Sequence, residues 1–326
     1  MASALRSRRL RVAGLRVASL LVALRLAAEA PGQAASPPPR PAALPFRAAI
    51  AAQTFLDREN LSCNCLDGSV GERTREAVKT WQENHGLRVT GQLDAATAKA
   101  LGDVEDAFTT HVVSSNELAS LTPVPETWLG KSQSDRLGYQ TILELVAEKY
   151  HASEGAVRRL NPGVAWPDPP EGTTLVVPKP FPSSVSKAAS IRIFLGRKLI
   201  QGLDGDGRVI AQFPCSIARE AAKRPVGQLK VIVCAANPNY VLDPAVFAED
   251  AEVQALGRRL IIPPGPNNPV GMAWIGLDRP GYGMHGTPRP EDIGKTESHG
   301  CFRLANWNAQ RLLKMVTIGM PVLIEP

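Results

Sequence analysis

The 326-residue chain is predicted to be a multidomain α+β protein, with two small N-terminal modules followed by a mainly-β domain. Two proline-rich stretches, 31–47 and 179–189, are predicted linkers that divide it. Helix-like hydrophobic periodicity lies between the linkers, and short alternating patterns typical of strands fill residues 190–326. A hydrophobic content of 44% with 5% aromatic residues is ordinary for globular protein and excludes a disordered or fibrous chain.

The first 30 residues are predicted to be a signal peptide. Arginines surround a short apolar run, Val17–Leu24, and small residues follow at Ala27–Ala30. The run is too short to anchor the protein across a bilayer. A disordered N-terminus is the alternative, because Arg25 interrupts the pattern. We therefore expect an exported protein that works in the periplasm or the cell wall.

The positive charge of the chain is concentrated in this N-terminal segment. Of 37 basic and 31 acidic residues, seven and one respectively lie within residues 1–40, so 30 of each sign remain in the rest of the chain. The formal net charge of +6 thus reflects the N-terminus alone. We expect no nucleic acid as a partner.

Residues 48–103 are predicted to form a small helical module. One helix should present Ala77, Val78 and Trp81 on a single face and end at Gly86. A further helix should be capped by Asp94 and close at Gly102. The underlying pattern is Asp67-Gly68, Gly71-x-x-Thr74-x-x-Ala77-Val78-x-x-Trp81-Gln82, Gly86-Leu87 and Gly91. It resembles the helical peptidoglycan-binding domain of many cell-wall enzymes, although these residues could simply build a helical hairpin.

Residues 108–178 are predicted to form a second, α/β module. Helices are expected at Thr141–Tyr150 and Ser153–Leu160, with a strand at Thr173–Val177. Asn161-Pro162-Gly163 and the final strand resemble the second half of a LysM-type glycan-binding module. Residues 111–113 are a candidate for the opening strand. The alternative is a spacer that packs against the C-terminal domain.

Residues 190–326 form the predicted mainly-β domain. Asp204–Gly207 is a hairpin-turn sequence, and one late helix, Asn308–Met315, should bury Leu312, Leu313 and Val316. The predicted strands are Ile191–Leu195, Val209–Phe213, Leu229–Val233, Val270–Ile275 and Pro321–Ile324.

Five cysteines are an odd number for an exported protein, so at least one thiol should be unpaired within the chain. Cys63 and Cys65 are too close in sequence to bridge comfortably. Cys215 and Cys234 lie in apolar runs that could be neighbouring strands, which leaves either a disulfide or two buried thiols. Cys301 is the one with chemically useful neighbours.

A cysteine that performs acyl transfer needs a base or a cation beside it, because an isolated thiol is mostly protonated at neutral pH. Two histidines are candidates: His285, 16 residues before Cys301, and His299, two residues before it. His285 is expected at the end of a strand, and it could approach Cys301 from the neighbouring strand because the loop Thr287–Glu297 is rich in proline and glycine. One alternative is a metal site formed by both histidines and Cys301. Another is that these residues have only structural roles.

The same residues carry a specific family resemblance. His285-Gly-Thr, then Ser298-His-Gly-Cys-Phe-Arg303-Leu, with Pro263–Gly271, Trp274-Ile and a Pro225-Val-Gly227 turn, resemble the catalytic domain of the L,D-transpeptidases of the YkuD type. The resemblance covers roughly residues 190–326. It implies a mainly-β catalytic fold and a cysteine acyltransferase that needs no metal and no organic cofactor.

The resemblance also implies a role for each matching residue. Cys301 would be the nucleophile, with His285 rather than His299 as its base. The Gly286 carbonyl would orient the imidazole. Gly300 and Cys301 would supply oxyanion-binding N–H groups, with Ser298 and His299 shaping that site, and Arg303 would bind a substrate carboxylate. Family members often carry Asp where this chain has Asn308, which puts a supporting or helix-capping contact in doubt.

The function implied is peptidoglycan L,D-transpeptidation on tetrapeptide stems with release of D-Ala. The expected partners are peptidoglycan stem peptides and glycan, with a second stem, a protein lysine, a D-amino acid or water as acceptor. Water would make the enzyme an L,D-carboxypeptidase. The rival from another class is a non-catalytic peptidoglycan-binding protein.

Overall fold

The structure is a computed structural model that describes residues 44–181, 184–247, 250–295 and 300–326. The predicted signal peptide lies outside these ranges, as do Ser298 and His299. Residues Leu44–Pro326 form one compact unit. Within the described ranges, no helix has both the length and the apolar character needed to cross a membrane.

The N-terminal module is helical, as predicted. Its helices are α1 (Phe46–Arg58), α2 (Glu72–Asn84) and α3 (Ala95–Leu101), so the first helix begins two residues before the predicted module boundary at 48. The apolar face predicted for α2 is confirmed, because Ala77, Val78 and Trp81 are buried. The side chain of Asp94 accepts a hydrogen bond from the Thr97 N–H at 2.8 Å, which confirms the predicted cap of α3.

The second module contains β1 (Phe108–Val112), α4 (Ser115–Ala119), α5 (Trp128–Ser132), α6 (Ile142–Lys149), α7 (Glu154–Leu160) and β2 (Thr174–Pro178). Strands β1 and β2 pair antiparallel, with His111 opposite Leu175, so the candidate opening strand is confirmed and begins earlier, at Phe108. Helices α6 and α7 match the predicted pair, and Thr141 and Ser153 are their N-caps. Helices α4 and α5 were not predicted, because each is only five residues long.

The C-terminal domain is mainly β, as predicted. Its elements are β3 (Ser190–Phe194), β4 (Leu199–Leu203), β5 (Val209–Pro214), β6 (Gly227–Ala236), β7 (Tyr240–Leu242), α8 (Ala251–Leu256), β8 (Leu260–Ile262), β9 (Ala273–Leu277), β10 (Gly283–His285), β11 (Phe302–Arg303), α9 (Asn306–Met315) and β12 (Pro321–Glu325). Eight strands form one sheet in the order β11-β10-β9-β6-β12-β3-β4-β5, and β7 and β8 form a separate hairpin. The Asp204–Gly207 turn joins β4 to β5, as expected from its sequence.

Two of the predicted boundaries in this domain were wrong. The strand expected at Val270–Ile275 begins only at Ala273, because Gly271 has a φ of +61° and belongs to the preceding turn. Helix α9 begins at Asn306, with Ala305 as its N-cap, so Asn308 is a residue of the first turn rather than a cap. Leu312 and Val316 are buried as predicted, whereas Leu313 is only half-buried.

The disulfide considered between Cys215 and Cys234 does not form. Cys215 follows β5 and Cys234 lies in β6, and three strands separate β5 from β6 in the sheet. Cys215 is buried, Cys234 is exposed, and all five cysteines, each within the described ranges, are free thiols. The free-thiol alternative is therefore correct, although only one of the two thiols is buried.

A buried ionic cluster joins the three modules. The Asp57 carboxylate at the end of α1 accepts hydrogen bonds from His151 Nδ1 at 2.8 Å and from Arg311 Nη2 on α9 at 3.0 Å. The His151 ring stacks on Trp307, with centroids 5.2 Å apart. Because Asp57, His151 and Arg311 each come from a different module, their pairing fixes the modules against one another.

Candidate active site

The pairing of β10 with β11 brings the predicted chemical residues together. The two strands are parallel, with Met284 opposite Phe302 and His285 opposite Arg303. Met284 and Phe302 are buried in the core beneath the sheet. Because side chains alternate along a strand, Cys301, Arg303 and His285 share the opposite face.

That face forms the floor of a cleft of about 590 Å³. Cys301, His285 and Arg303 line it together with the aromatic rings of Trp274 and Tyr282. Two further walls come from outside the main sheet: Tyr240 and Phe247 from the β7–β8 region, and Trp128 from the second module. The cleft is thus built from two modules.

His285 is held in a single orientation. Its ring is only 5% exposed and stacks on Trp274, with ring centroids 5.6 Å apart. Nδ1 donates a hydrogen bond to the Gly286 carbonyl at 2.7 Å, which leaves Nε2 as the acceptor nitrogen of a neutral ring. Burial lowers the pKa of His285 to about 4, although the Gly286 hydrogen bond opposes the shift. The imidazole is therefore neutral at neutral pH and available as a base.

Cys301 lies at the end of the cleft nearest the loop before β10. Its Sγ is 3.3 Å from the Gly281 carbonyl oxygen. Burial raises the pKa of the thiol above its ordinary value of 9.0, while a backbone hydrogen bond from Gly283 and the charge of Arg303 act in the opposite direction. The resting site therefore holds a thiol and a neutral imidazole, and a proton must move before the sulfur can attack.

Arg303 is half-buried on the same face. Its backbone exchanges two hydrogen bonds with Ser216, at 2.9 and 3.1 Å, which fix the residue at the sheet edge. Burial lowers the pKa of the guanidinium, while the neighbouring Cys301 and Tyr240 oppose that shift. An arginine remains charged even so, and its fork can bind a carboxylate.

Comparisons with known proteins add to this geometry. The family model of the L,D-transpeptidase catalytic domain, YkuD, matches residues 191–324, and the model of a peptidoglycan binding domain matches residues 50–101. The C-terminal domain is therefore similar to the catalytic domain of the L,D-transpeptidases over residues 191–324. The match includes Cys301, His285 and Arg303, and residues 108–178 lie outside both matched segments.

Relatives that carry an L,D-transpeptidase name differ in how much of their length is covered. YqjB of Bacillus subtilis is 33% identical over 125 residues, which are 36% of this chain and 61% of YqjB. YkuD of Bacillus licheniformis is 24% identical over 184 residues, which are 56% of this chain and 93% of that protein. A crystal structure of an L,D-transpeptidase from Xylanimonas cellulosilytica is 17% identical and has a TM-score of 0.35, with 85% of this chain and 92% of that chain covered.

The remaining predicted site residues of the C-terminal domain are only partly described. Gly286 lies beside His285, and Gly300 lines the cleft next to Cys301. Ser298 and His299 lie outside the described residues, so their part in an oxyanion site stays a prediction. The metal alternative also stays untested, since it needs His299.

Several residues of the site were missed by the sequence analysis. Asn306 is fully buried, and its amide contacts the loops that carry Gly271 and Gly286. Trp128, Tyr240 and Phe247 line the cleft from distant parts of the chain. Asn306 could have been noticed from its place five residues after Cys301, but the aromatic residues carry no local signal.

Asn308, whose role was in doubt, makes its contact with another module. Its side-chain Nδ2 donates a hydrogen bond to the Ser62 hydroxyl at 3.0 Å, in a fully buried position. It lies in the first turn of α9 and does not line the cleft. Asn308 therefore contributes to the packing between modules and not to the lining of the cleft.

Proposed function

We propose that this chain is an exported peptidoglycan L,D-transpeptidase that acts through a thioester on Cys301. The observation that carries this proposal is the register of β10 with β11, which sets the thiol, the His285 imidazole and the Arg303 guanidinium on one face of a cleft. The hydrogen bond from His285 Nδ1 to Gly286 supports it, because this bond selects the tautomer able to accept a proton at Nε2.

In the acylation step, His285 Nε2 takes the thiol proton as Cys301 Sγ attacks a carbonyl carbon of a tetrapeptide stem. This carbonyl links the L-centre of diaminopimelate to the terminal D-Ala. The resulting oxyanion would be bound by N–H groups around Gly300 and Cys301, in a site shaped by Ser298 and His299. His285 then gives its proton to the departing amine of D-Ala, so a thioester remains and no net proton is consumed.

In the second step, an acceptor attacks the thioester while His285 takes a proton from it and returns one to the sulfur. A diaminopimelate amine of another stem would give a cross-link, and a protein lysine or a free D-amino acid would give the corresponding amide. Water as acceptor would make the enzyme an L,D-carboxypeptidase. The mechanism uses only side-chain and backbone groups of this chain, with no cofactor.

Substrate binding fits the other features of the chain. Arg303 would bind a carboxylate of the stem peptide, since a guanidinium fork pairs well with carboxylates. The helical module at 48–103 would hold the enzyme on peptidoglycan and raise the local concentration of stems. We also propose a LysM-like fold for residues 108–178, supported by the pairing of β1 with β2 around two helices. We further propose that this module binds the glycan strands of peptidoglycan.

Replacement of the nucleophile tests the function directly. Wild-type protein is expected to release D-Ala from a disaccharide-tetrapeptide and to gain the mass of a carbapenem, whereas Cys301→Ala should do neither while staying folded. Product masses from the same assay identify the acceptor and separate transpeptidase from carboxypeptidase activity. A wild-type protein that binds peptidoglycan but shows no turnover and no adduct would instead support the non-catalytic alternative.

A further inference from the structure

A row of buried and partly buried contacts leads from the second module to the proposed catalytic base. It starts at Glu148, at the C-terminal end of α6. One carboxylate oxygen of Glu148 accepts a hydrogen bond from the Tyr139 hydroxyl at 2.9 Å, and the other accepts one from Asn306 Nδ2 at 2.8 Å. The contact with Asn306 crosses from the second module into the catalytic domain.

Asn306 is the next member of the row. Its Oδ1 accepts a hydrogen bond from the Met272 N–H at 3.1 Å, and its Nδ2 also donates to the Pro266 carbonyl at 3.1 Å. The backbones of Gly271 and Gly286 approach its amide so closely that a Cβ on either glycine would overlap with Oδ1. The amide of Asn306 therefore fixes the path of the backbone at Gly286.

Gly286 connects this arrangement to the base. Its carbonyl accepts the hydrogen bond from His285 Nδ1, and its N–H donates to the Ala273 carbonyl at 3.2 Å. The direction of that carbonyl decides which ring nitrogen of His285 keeps its proton. A rotation of the Gly286 peptide would thus change the tautomer or the orientation of the imidazole.

The second module also contacts the loop between β8 and β9, which includes the Pro266 carbonyl bonded to Asn306. Asn267 Nδ2 donates to the Glu144 carboxylate at 2.6 Å and to the Gly138 carbonyl at 2.8 Å. The Leu137 N–H donates to the Pro264 carbonyl at 3.0 Å, and a Cβ on Gly265 would overlap with the Leu137 carbonyl. This loop leads into β9, which carries the Trp274 ring stacked on His285.

We propose that Glu148 is a positioning residue for the catalytic base: through Asn306 it sets the Gly286 carbonyl and hence the tautomer and orientation of His285. The proposal rests on the proposed function and goes beyond it, because it makes the second module part of the catalytic apparatus. Glu148 lies in residues 108–178, outside both segments that match a family model, so the positioning contact comes from a part of the chain that neither model covers.

The protonation of Glu148 suggests the most informative substitution. Burial raises the pKa of its carboxyl to about 7, while hydrogen bonds from Asn306 and Tyr139 lower it and the charges of Glu144 and Glu291 raise it. A group that is partly neutral at pH 7 is closely imitated by glutamine. Glu148→Gln can still accept from Asn306, whereas Glu148→Met fills the same space with no oxygen acceptor.

The experiment compares these two variants in the full chain, with Val157→Ala as a control. Val157 is buried in the core of the same module and belongs to none of the contacts described above. For each protein we would measure the rate constant of acylation by a carbapenem and the midpoint of thermal unfolding. We would also determine KM and kcat separately for turnover of the tetrapeptide.

Glu148→Met is expected to lower the acylation rate constant and kcat by about tenfold or more, with KM within about threefold, because a misplaced base slows the chemical step. Glu148→Gln should keep most of the wild-type rate. Val157→Ala should lower the thermal midpoint while kcat stays near the wild-type value. Should Glu148→Met fail to fold, Glu148→Asp carries the same comparison, because its shorter side chain withdraws the acceptor from Asn306.

A readout independent of turnover separates this proposal from the proposed function. In protein labelled with 15N-histidine, the His285 signals, assigned by comparison with His285→Gln, should show the Nδ1–H tautomer in the wild type and in Glu148→Gln. They should show a changed or mixed tautomer in Glu148→Met. An unchanged tautomer and unchanged acylation in folded Glu148→Met would overturn the positioning role. An inactive wild type with the expected tautomer change would instead overturn the proposed function alone.

Discussion

At the scale of residues, burial decides the resting state of the site. It raises the pKa of the Cys301 thiol and lowers that of the His285 imidazole to about 4. Both shifts favour the neutral form, because charge is costly in a low-dielectric site. Cys301 and His285 are therefore both neutral at rest, and they do not form a preformed imidazolium–thiolate ion pair. His285 would act as a general base at the moment of attack.

This resting state predicts the pH dependence of acylation. The second-order rate constant for a carbapenem should be nearly constant between about pH 6 and 8, since His285 is neutral there. It should fall as the pH approaches the His285 pKa of about 4, because protonation removes the base. It should rise again only in strongly alkaline solution, where the thiolate forms directly, because burial raises the pKa of the Cys301 thiol above its ordinary value of 9.0. Stopped-flow measurements between pH 4 and 10 check this profile.

Two variants show which histidine causes the fall in acylation rate at acidic pH. His285→Ala should lose most of the acylation rate at neutral pH, whereas His299→Ala should keep the acid limb of the wild type. A wild-type rate that instead falls through pH 6 to 7 would indicate a preformed ion pair and contradict the neutral resting state.

At the scale of elements, the cleft depends on contacts between short segments distant in sequence. Trp128 begins α5, and its Nε1 donates a hydrogen bond to the Asp250 carboxylate at 3.0 Å. The Leu129 N–H donates to the Glu252 carboxylate at 3.2 Å. Helix α5 is thereby fixed against the β7–β8 region, and Trp128 contributes a wall of the cleft.

Trp128→Ala tests whether this wall binds substrate. We expect KM for a disaccharide-tetrapeptide to rise by about tenfold with kcat within about threefold, because the ring lines the cleft but does not carry the reacting groups. Trp166→Ala is the matched control, since Trp166 belongs to the same module, packs on its core and does not line the cleft. Steady-state D-Ala release provides both constants. Equal losses in the two variants would show that Trp128 acts only through the stability of its module.

At the scale of the whole molecule, the buried cluster of Asp57, His151 and Arg311 joins the three modules. Burial by itself would raise the pKa of Asp57, but the charges of Arg311 and His151 and their hydrogen bonds outweigh it and lower the pKa to about 2. Because the folded-state pKa is depressed, this stabilisation is present above the ordinary value of 3.8. It is lost as the pH falls from there through about 2.

Asp57→Asn is expected to lower the free energy of unfolding by about 3 to 5 kcal/mol, because it leaves the buried Arg311 charge without its carboxylate. Glu105→Gln provides the control, since its ion pair with Arg47 has nearly the same 3.0 Å length but is exposed. That change should cost less than about 1 kcal/mol. Urea unfolding at pH 7 measures both. If the two variants lost similar amounts of unfolding free energy, burial of the Asp57–Arg311 pair would not be what makes it stabilising.

Local patterns account for the features that could be predicted. The apolar face of α2, the cap of α3, the helices α6 and α7, and the Asp204–Gly207 turn depend on residues within a few positions of each other. His285 was expected at the end of a strand, and β10 (Gly283–His285) confirms this, although three residues are too few to have indicated where that strand begins. The pairing considered for Cys215 and Cys234 was wrong because it depends on strand order, which connects residues far apart in sequence.

The sequence by itself determined the division into helical and mainly-β parts and the motif around Cys301, through periodicity, turn residues and a specific resemblance. Only the tertiary structure decided how His285 and Arg303 meet Cys301, since this requires the parallel pairing of β10 with β11. It also decided that Trp128 and Asn306 belong to the site. Side-chain proximity of this kind arises from packing between distant segments, and no pattern within a short window specifies it.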